Sequence, residues 1–326
     1  MHPRRTLLLA APGIAGTTVA ARAQPGGAYP VRPIRMVVPF AAGGAADLVA
    51  RVIAQGMSET LGQPVVVENR GGSGGVIGTE AVLAAPADGY TIAFHSMSSA
   101  VLNAGLYRNL SFDIRRSFLP VSLVGTVPNI VVVNPRVPAR NLEEFVALLK
   151  REPGRYTYAS SGAGTIVHLS AHMLAQMVGA QVVHVPYRGS GPAMNDLIAG
   201  TVDFMVDTLP TVIPFVRDGR LRALAVTTRE RSAALPEVPT AAEAGLPGYE
   251  TYNWHAVFAP AGVPEGVVPR LERAARAAAT TGATHRRLVE VGVDPRGSTA
   301  AELEAFWDEQ LRLWIPIVRS SGATAD

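Results

Sequence analysis

Two short loops rich in glycine and small hydroxyl residues are the segments of this sequence best suited to bind a small anion. The first loop, from Pro39 to Ala45, follows the apolar run Met36–Val38 and precedes a helical pattern that begins near Asp47. Its glycines permit tight turns, and a loop that leads into a helix presents free N–H groups at the positive end of the helix dipole. The pattern indicates either a carboxylate- or phosphate-binding loop or an ordinary strand-to-helix connection.

The second loop, from Ser160 to Thr165, repeats this order of strand, small residues and helix. It follows a β-type run at residues 156–159 and precedes an apolar helical pattern that begins at Ile166. Ser161 and Thr165 are suited to cap this helix, and their hydroxyls and the nearby N–H groups can hydrogen-bond an anion. Two such loops predict a cleft with an anion site on each side.

A serine hydrolase site is the catalytic alternative, because Ser160, Ser161, His168 and Asp207 are the residue types that such a site needs. The G-x-S-x-G nucleophile elbow is absent, and His168 lies inside the helix that follows the serine loop. Nothing in the sequence places its ring against a serine hydroxyl. The sequence therefore favours a protein without catalysis, and hydrolysis by Ser161 with His168 is the less favoured alternative.

The sequence favours a metal site or a nucleotide site less than an anion-binding cleft. His168 and His172 have the i, i+4 spacing of two zinc ligands, but Leu169 stands where a zinc protease has glutamate. The glycine-rich segment 71–75 lacks the G-K-[S/T] of a phosphate-binding P-loop. We therefore expect no bound metal and no cofactor.

Two carboxylates and two cations lie next to the candidate loops. Asp47 and Asp207 are suited to cap backbone N–H groups and fix loop geometry, or to accept a hydrogen bond from a ligand amine or hydroxyl. Arg70 and Arg188 either pair with a carboxylate or are solvated. Tyr187 either lines the cleft or packs at its edge.

Composition and length indicate a globular chain of two domains. Of the 326 residues, 48% are hydrophobic and 17% are charged, which excludes a disordered chain. No apolar run approaches the roughly 18 residues that cross a bilayer. The absence of cysteine means that no disulfide supports the fold.

The first 23 residues have the pattern of an export signal. Arg4 and Arg5 precede an apolar segment, and Ala21-Arg22-Ala23 resembles a cleavage site. The arginine pair fits a twin-arginine signal, and a general secretory signal is equally compatible. Removing residues 1–23 lowers the basic count from 29 to 26, which equals the 26 acidic residues. The neutral mature chain gives no indication of nucleic-acid binding, and a periplasmic location is expected.

Alternating strand and helix patterns predict two α/β units with parallel sheets. We expect residues 28–126 and 254–326 to form domain 1 and residues 127–253 to form domain 2, with a loop-like stretch at 105–125. Ligands of open α/β sheets bind beyond the carboxyl ends of strands, where both loops lie. The expected strands are at residues 36–38, 65–68, 91–94, 130–133, 156–159, 182–185, 202–206, 224–226 and 257–259.

Six motifs, in this order, resemble the Bug-type substrate-binding proteins of tripartite tricarboxylate transporters. The resemblance extends from about Tyr29 to beyond Pro264, which is most of the mature chain. The motifs are VVPFAAGGAAD, GQPVVVENRGGSGGVIG, ADGYT, YASSGAGTIVHLSAHML, HVPYRGSGPAMNDLIAGTVDF and RSAALPEVPTAAEAGLPGYE. Ala41-Ala42 stands where the family has a Pro-rich loop, Gly71 replaces a frequent proline, and His172 stands where an acidic residue is usual.

The resemblance implies a type II periplasmic-binding-protein fold, with two α/β domains, two hinge crossings and a central cleft that closes on its ligand. It implies that backbone N–H groups and small hydroxyls hold the carboxylates of the ligand. Carried onto this chain, the first-lobe site is Phe40, Gly43, Gly44, Ala45 and Asp47. The second-lobe site is Ser160, Ser161, Gly164 and Thr165, with Tyr187 and Asp207 nearby.

The expected partners follow from the same resemblance. They are a small carboxylate, of the dicarboxylate, tricarboxylate or aromatic-acid type, and the membrane permease subunits of a tripartite tricarboxylate transporter. The protein is expected to be a monomer without nucleic-acid partners. The alternative function is a periplasmic sensor that passes its ligand-bound form to a two-component signalling system.

Overall fold

The computed structural model describes residues 29–320, so the expected signal peptide at residues 1–23 lies outside the described residues. Within that range, a sheet of ten strands extends through the whole protein in the order β2-β1-β3-β9-β4-β7-β5-β6, with β8 and β10 also paired to β4. Helices cover the sheet, as predicted for an α/β protein. The strands are β1 (Ile34–Val38), β2 (Val65–Asn69), β3 (Thr91–Ser96), β4 (Phe118–Val133), β5 (Thr157–Ser160), β6 (Val183–Pro186), β7 (Phe204–Thr208), β8 (Arg222–Val226), β9 (Tyr252–Pro260) and β10 (Asp294–Pro295).

The helices connect and cover these strands. A 3-10 turn (Ser73–Gly75) precedes α2, and a π-helical turn (Ser98–Leu102) precedes α3. The helices are α1 (Ala45–Leu61), α2 (Val76–Leu83), α3 (Asn103–Leu106), α4 (Ile114–Ser117), α5 (Leu142–Arg151), α6 (Ile166–Val178), α7 (Ser190–Ala199), α8 (Leu209–Arg217), α9 (Val267–Thr280), α10 (Gly282–Glu290) and α11 (Ala300–Ser320).

The first half of the sheet is built from parallel β1, β2 and β3, joined by antiparallel β9. The buried apolar side chains of β1 explain its central place between β2 and β3. Helices α1 and α9 pack together on this half, and Gly56 permits the close approach, because a Cβ there would lie 2.7 Å from the Cβ of Ala278. The apolar core of this half lies between these helices and the strands.

The second half contains parallel β5, β6 and β7. Its core includes Phe145 of α5, which packs edge-on against Phe204 of β7 with ring centroids 5.0 Å apart. Asn141 caps α5, since its side chain accepts from the N–H of Glu144 at 2.8 Å. The Asn141 cap thus sets where α5 begins, and its apolar face, which includes Phe145, packs on the sheet.

Strand β4 runs through both halves. It pairs with β9 from Phe118 to Pro128 and with β7 and β8 from Asn129 onward. The expectation of a loop-like stretch at 105–125 is therefore wrong for residues 118–125, which are strand. Pro120 and Gly125 weaken the strand pattern in the sequence, and the pairing with β9 is irregular near both residues.

The C-terminal helices return to the first half. Trp307 of α11 is fully buried, and its indole N–H donates to the carbonyl of Ala100 at 2.9 Å. This contact holds α11 over the segment that follows β3. No helix in the described range 29–320 is long and apolar enough to cross a membrane.

Candidate functional site

Four helix N-termini meet at one small cavity between the two halves of the sheet. Helices α1, α6, α7 and α8 begin beyond the carboxyl ends of β1, β5, β6 and β7. Their dipoles concentrate partial positive charge at this point, which favours an anion. The cavity has a volume of about 30 Å³ and is lined by Phe40, Gly44, Ala45, Ala46, Ser96, Ser98, Ser161, Ile166, Val167, Ser190, Asp207, Thr208, Asn253 and His255.

The N-terminus of α1 presents free backbone donors to this cavity. Gly44 is its N-cap and has no side chain to satisfy them. The first intrahelical bond is donated by Leu48 to the carbonyl of Gly44 at 3.0 Å. The N–H groups of Ala45 and Ala46 therefore have no partner within residues 29–320, and both residues line the cavity. An anion can accept from them.

Asp47 fixes the loop that leads into α1. The N–H of Gly43 donates to Asp47 Oδ2 at 3.0 Å, and Asp47 Oδ1 lies 2.8 Å from the guanidinium of Arg51. Gly43 has a φ of +83°, a conformation that favours glycine. The Asp47 side chain is buried beneath the loop and is not among the cavity-lining residues. It thus positions the donors of α1 rather than lining the cavity itself.

The second loop is held by a network of its own hydroxyls. Ser161 donates to Thr165 Oγ1 at 3.1 Å, and Thr165 donates to the carbonyl of Gly162 at 2.8 Å. Thr165 is the N-cap of α6 and accepts from the N–H of His168 at 3.4 Å. These bonds set the start of α6, where Ile166 and Val167 line the cavity.

Two stacked histidines support this loop from behind. The rings of His168 and His184 are stacked with centroids 4.0 Å apart. His184 Nε2 is hydrogen-bonded to Ser160 Oγ at 2.7 Å, and the N–H of Gly164 donates to His168 Nδ1 at 3.0 Å. Burial lowers the pKa of His168 to about 3 and that of His184 to about 4. Both rings are therefore neutral at pH 7, so His168 Nδ1 can accept from the loop, and His184 Nε2 shares its hydrogen bond with a serine that also donates to the carbonyl of Gly162 at 3.1 Å.

Ser161 and His168, the hydroxyl and imidazole of the hydrolase alternative, are not hydrogen-bonded to each other in the described residues. Ser161 donates to Thr165, whereas His168 accepts from Gly164. Within residues 29–320, no group of three metal-binding side chains could hold a metal ion.

Asp207 is the buried acid of the cavity. Its Oδ1 accepts from the N–H of Thr208 at 2.7 Å and from Ser190 Oγ at 3.1 Å. Its Oδ2 has no hydrogen-bond partner within the described residues. Burial raises the pKa of Asp207 to about 6, and the hydrogen bonds to Thr208 and Ser190 oppose this rise by stabilising the carboxylate.

The remaining wall of the cavity comes from β3 and β9. Asn253 Oδ1 accepts from the N–H groups of Trp254 at 2.8 Å and Met97 at 3.3 Å. His255 is buried, stacks on Phe94 with centroids 5.5 Å apart, and has no partner in the described range for either ring nitrogen. Burial lowers the pKa of His255 to about 3, so its ring is neutral and offers one donor and one acceptor.

A second, outer chamber of about 250 Å³ adjoins the first, and both are lined by Phe40 and Ser161. Tyr187 lines this chamber and donates to Asp196 Oδ2 at 2.6 Å. Arg188 is exposed on the same wall, whereas Arg70 pairs with Glu68. The full lining is Phe40, Gly72, Ser73, Gly74, Gly75, Tyr107, Ser161, Gly162, Ala163, Pro186, Tyr187 and Arg188.

The loops of the two halves touch directly beside the cavity. A Cβ added to Gly191 would lie 2.6 Å from the carbonyl oxygen of Ala42, and one added to Gly189 would lie 2.9 Å from the Cβ of Ala41. Glycine is therefore required for this approach of the α7 N-terminus to the first loop.

The residues predicted from the sequence fall into three positions. Phe40, Gly44, Ala45, Ser161 and Asp207 line the inner cavity, and Tyr187 lines the outer chamber. The others support the loops from behind: Gly43, Asp47, Ser160, Gly164 and Thr165.

Several lining residues were not predicted. Ser96 ends β3 and Ser98 follows it, so the rule that ligands bind at carboxyl ends of strands could have identified them. Asn253 and His255 lie in an antiparallel strand that was expected only from Val257, and no pattern marks their side chains. The unpredicted lining residues are Ala46, Ser96, Ser98, Ile166, Val167, Ser190, Thr208, Asn253 and His255.

Comparison with known proteins identifies relatives over nearly the whole chain. The family model described as tripartite tricarboxylate transporter family receptor matches residues 49–323. Protein BugT of Bordetella pertussis (strain Tohama I) is 39% identical over 297 residues, which cover 90% of this chain and 91% of BugT.

Solved structures share the fold. The structure of R. palustris Rpa4515 with adipate is 34% identical, has a TM-score of 0.87, and is matched over 91% of this chain and 99% of that chain. MatC (Rpa3494) from Rhodopseudomonas palustris with bound malate is 32% identical, has a TM-score of 0.83, and is matched over 89% and 100% of the two chains. The fold is therefore that of periplasmic binding proteins, as predicted from the sequence.

Proposed function

Because this chain belongs to the tripartite tricarboxylate transporter receptor family, we propose that it captures a small carboxylate in the periplasm and delivers it to the membrane permease of such a transporter. The adipate and malate bound to its structural relatives support a carboxylate ligand of this size. The protein is exported by its N-terminal signal, acts as a monomer and carries out no catalysis.

The observation that carries the proposal is the convergence of four helix N-termini on one cavity. The free N–H groups of Ala45 and Ala46 provide donors, and the lining formed by the described residues contains no lysine or arginine. Backbone donors and helix dipoles stabilise a carboxylate in such a site. The lining supplies groups that bind an anion, and the hydrogen-bonded Ser160 and His184 are not among the residues that line the cavity.

Capture requires two lobes that close. We assign residues 28–126 and 254–326 to one lobe and residues 127–253 to the other, and the change of β4 partners between Pro128 and Asn129 supports a crossing near this boundary. The contact of the 41–44 loop with Gly189–Gly191 is then the closed interface. Binding proteins of this type close by hinge motion.

The test is a thermal-shift screen of the chain without residues 1–23, made ligand-free by unfolding and refolding. The panel contains C3–C8 mono-, di- and tricarboxylates, amino acids, aromatic acids and the matching amides. A ligand that binds the native state raises Tm with its concentration. We expect at least one carboxylate to raise Tm and its amide to have no effect. If no carboxylate changes Tm, the proposed function is wrong.

A further inference from the structure

One polar atom in the inner cavity is left without a partner, and its chemistry restricts the ligand. Asp207 has a fully buried side chain, and its Oδ2 has no hydrogen-bond partner in the described residues 29–320. Buried polar atoms in folded proteins are nearly always hydrogen-bonded. Because the residue lines the cavity, a group that enters the cavity is in position to satisfy this atom.

We propose that the ligand carries an O–H or N–H donor beside its carboxylate, and that Asp207 Oδ2 accepts from it. The inference rests on the proposed function and specifies its ligand class: hydroxy acids or amino acids rather than unsubstituted carboxylates. A ligand carboxylate next to a buried carboxylate would otherwise add repulsion in a medium of low dielectric. A donor on the ligand removes that conflict.

The surroundings of Asp207 keep it an acceptor. Its Oδ1 already accepts from Thr208 N and Ser190 Oγ, and hydrogen bonds of this kind stabilise the ionised carboxylate. Ser190 begins α7, whose N-terminus contacts the first loop through Gly189 and Gly191. The carboxyl group of Asp207 therefore connects the ligand to this contact between the two halves. With a pKa raised to about 6, the carboxylate is predominantly ionised at pH 7.5.

The size of the cavity agrees with this assignment. Its volume of about 30 Å³ holds a group no larger than about two water molecules. A carboxylate oxygen and the neighbouring hydroxyl or ammonium group fit this volume, and the rest of the ligand extends past Phe40 and Ser161 toward the outer chamber. His255, with both ring nitrogens unpartnered within the described range, offers a donor to a carboxylate oxygen in the same cavity.

The experiment compares ligands that share a carbon skeleton. Isothermal titration at pH 7.5 measures Kd for succinate, malate and aspartate, for glutarate, 2-hydroxyglutarate and glutamate, and for adipate, 2-hydroxyadipate and 2-aminoadipate. In the series that binds, we expect a donor-bearing member to bind at least tenfold more tightly than the unsubstituted acid. The hydroxy and amino members separate the two kinds of donor. This comparison uses the wild-type protein and does not depend on a variant.

Asp207→Asn tests the role of Oδ2 directly. The amide keeps the shape of the carboxylate but places either an NH₂ group or a weaker acceptor oxygen at the position of Oδ2. We expect the preference for the donor-bearing ligand to fall at least tenfold, whereas Asp218→Asn, which removes an exposed charge of the same sign, leaves it unchanged. Equal binding of unsubstituted and donor-bearing acids by wild type would overturn the inference and leave the proposed function intact. Binding of amides and other neutral compounds but of no carboxylate would overturn both.

Discussion

The N–H of Ile166 donates to Ser98 Oγ at 3.0 Å, so the segment that follows β3 is bonded directly to the N-terminus of α6. Both residues line the inner cavity, and Ser98 is fully enclosed. This bond joins elements that we assign to different lobes. If this assignment is right, the bond forms only when the lobes come together, and we propose that it is a contact of the closed form.

Ser98→Ala should therefore weaken ligand binding more than it weakens folding. The variant leaves the N–H of Ile166 unsatisfied only after closure, which costs about 1 kcal/mol and raises Kd about fivefold. Titration with the best ligand from the screen measures this change, and Ser111→Ala, at an exposed serine, serves as the control. An unchanged Kd would show that the bond does not contribute to closure.

Gly191→Ala should prevent full closure. The added Cβ would lie 2.6 Å from the carbonyl of Ala42, so the first loop and α7 must separate. We expect Kd to rise more than tenfold, with little change in the Tm of the ligand-free protein. Small-angle X-ray scattering should show no ligand-induced decrease in radius of gyration.

Gly179→Ala provides the matched control for that variant. Gly179 ends α6 with a φ of +65° and has no neighbour within 4 Å of an added Cβ. Alanine there strains the backbone and lowers Tm by the equivalent of about 1 kcal/mol without touching the loop contact. If it raised Kd as much as Gly191→Ala, loss of stability rather than a blocked approach would explain both.

Thr165→Val should lower both stability and affinity, because it removes the N-cap hydroxyl of α6 that also accepts from Ser161. Loss of such a cap costs about 1 kcal/mol. We expect a lower Tm and a several-fold higher Kd, and Thr165→Ser should restore both by returning the hydroxyl. A variant that retained wild-type affinity would exclude the hydroxyl network from the site.

Acid should destabilise the protein below about pH 6.5. Burial lowers the pKa values of His95, His168, His184 and His255 from 6.5 to between about 3 and 4. The unfolded chain therefore binds more protons in that window, and stability falls as pH decreases. Each fully buried histidine contributes up to about 1.4 kcal/mol per pH unit. Asp207 acts in the opposite direction, since its raised pKa favours the folded state as pH falls from about 6 toward 3.8.

Urea unfolding at pH 7.5, 6.5, 5.5 and 5.0 measures this dependence. We expect a free energy of unfolding that is nearly constant from pH 7.5 to 7 and then declines, because four histidines outweigh one aspartate. His184→Gln should make the decline shallower, and Asp207→Asn should make it steeper. A free energy that stayed constant to pH 5 would contradict the neutral assignment of the buried rings.

The parts of the site that the sequence predicts are those set by local chemistry. Glycines before α1 and a threonine cap before α6 mark turns and helix starts, so the two loops could be located without coordinates. The full length of strand β4 could not be predicted, because Pro120, Gly125 and Pro128 interrupt its apolar pattern. Its pairing with β9 on one side and with β7 on the other stabilises it as a strand. Asn253 and His255 became lining residues through that same long-range pairing.

The continuity of β4 also determines what ligand capture costs. A flexible linker between two bodies would let them explore many orientations, and all of that freedom would be lost on each binding event. Here a single strand is hydrogen-bonded into both halves of the sheet, so we expect the relative motion of the proposed lobes to be a twist near Pro128 and Asn129. Little orientational entropy is left to lose, and most of the interaction free energy of a small ligand therefore remains available as affinity.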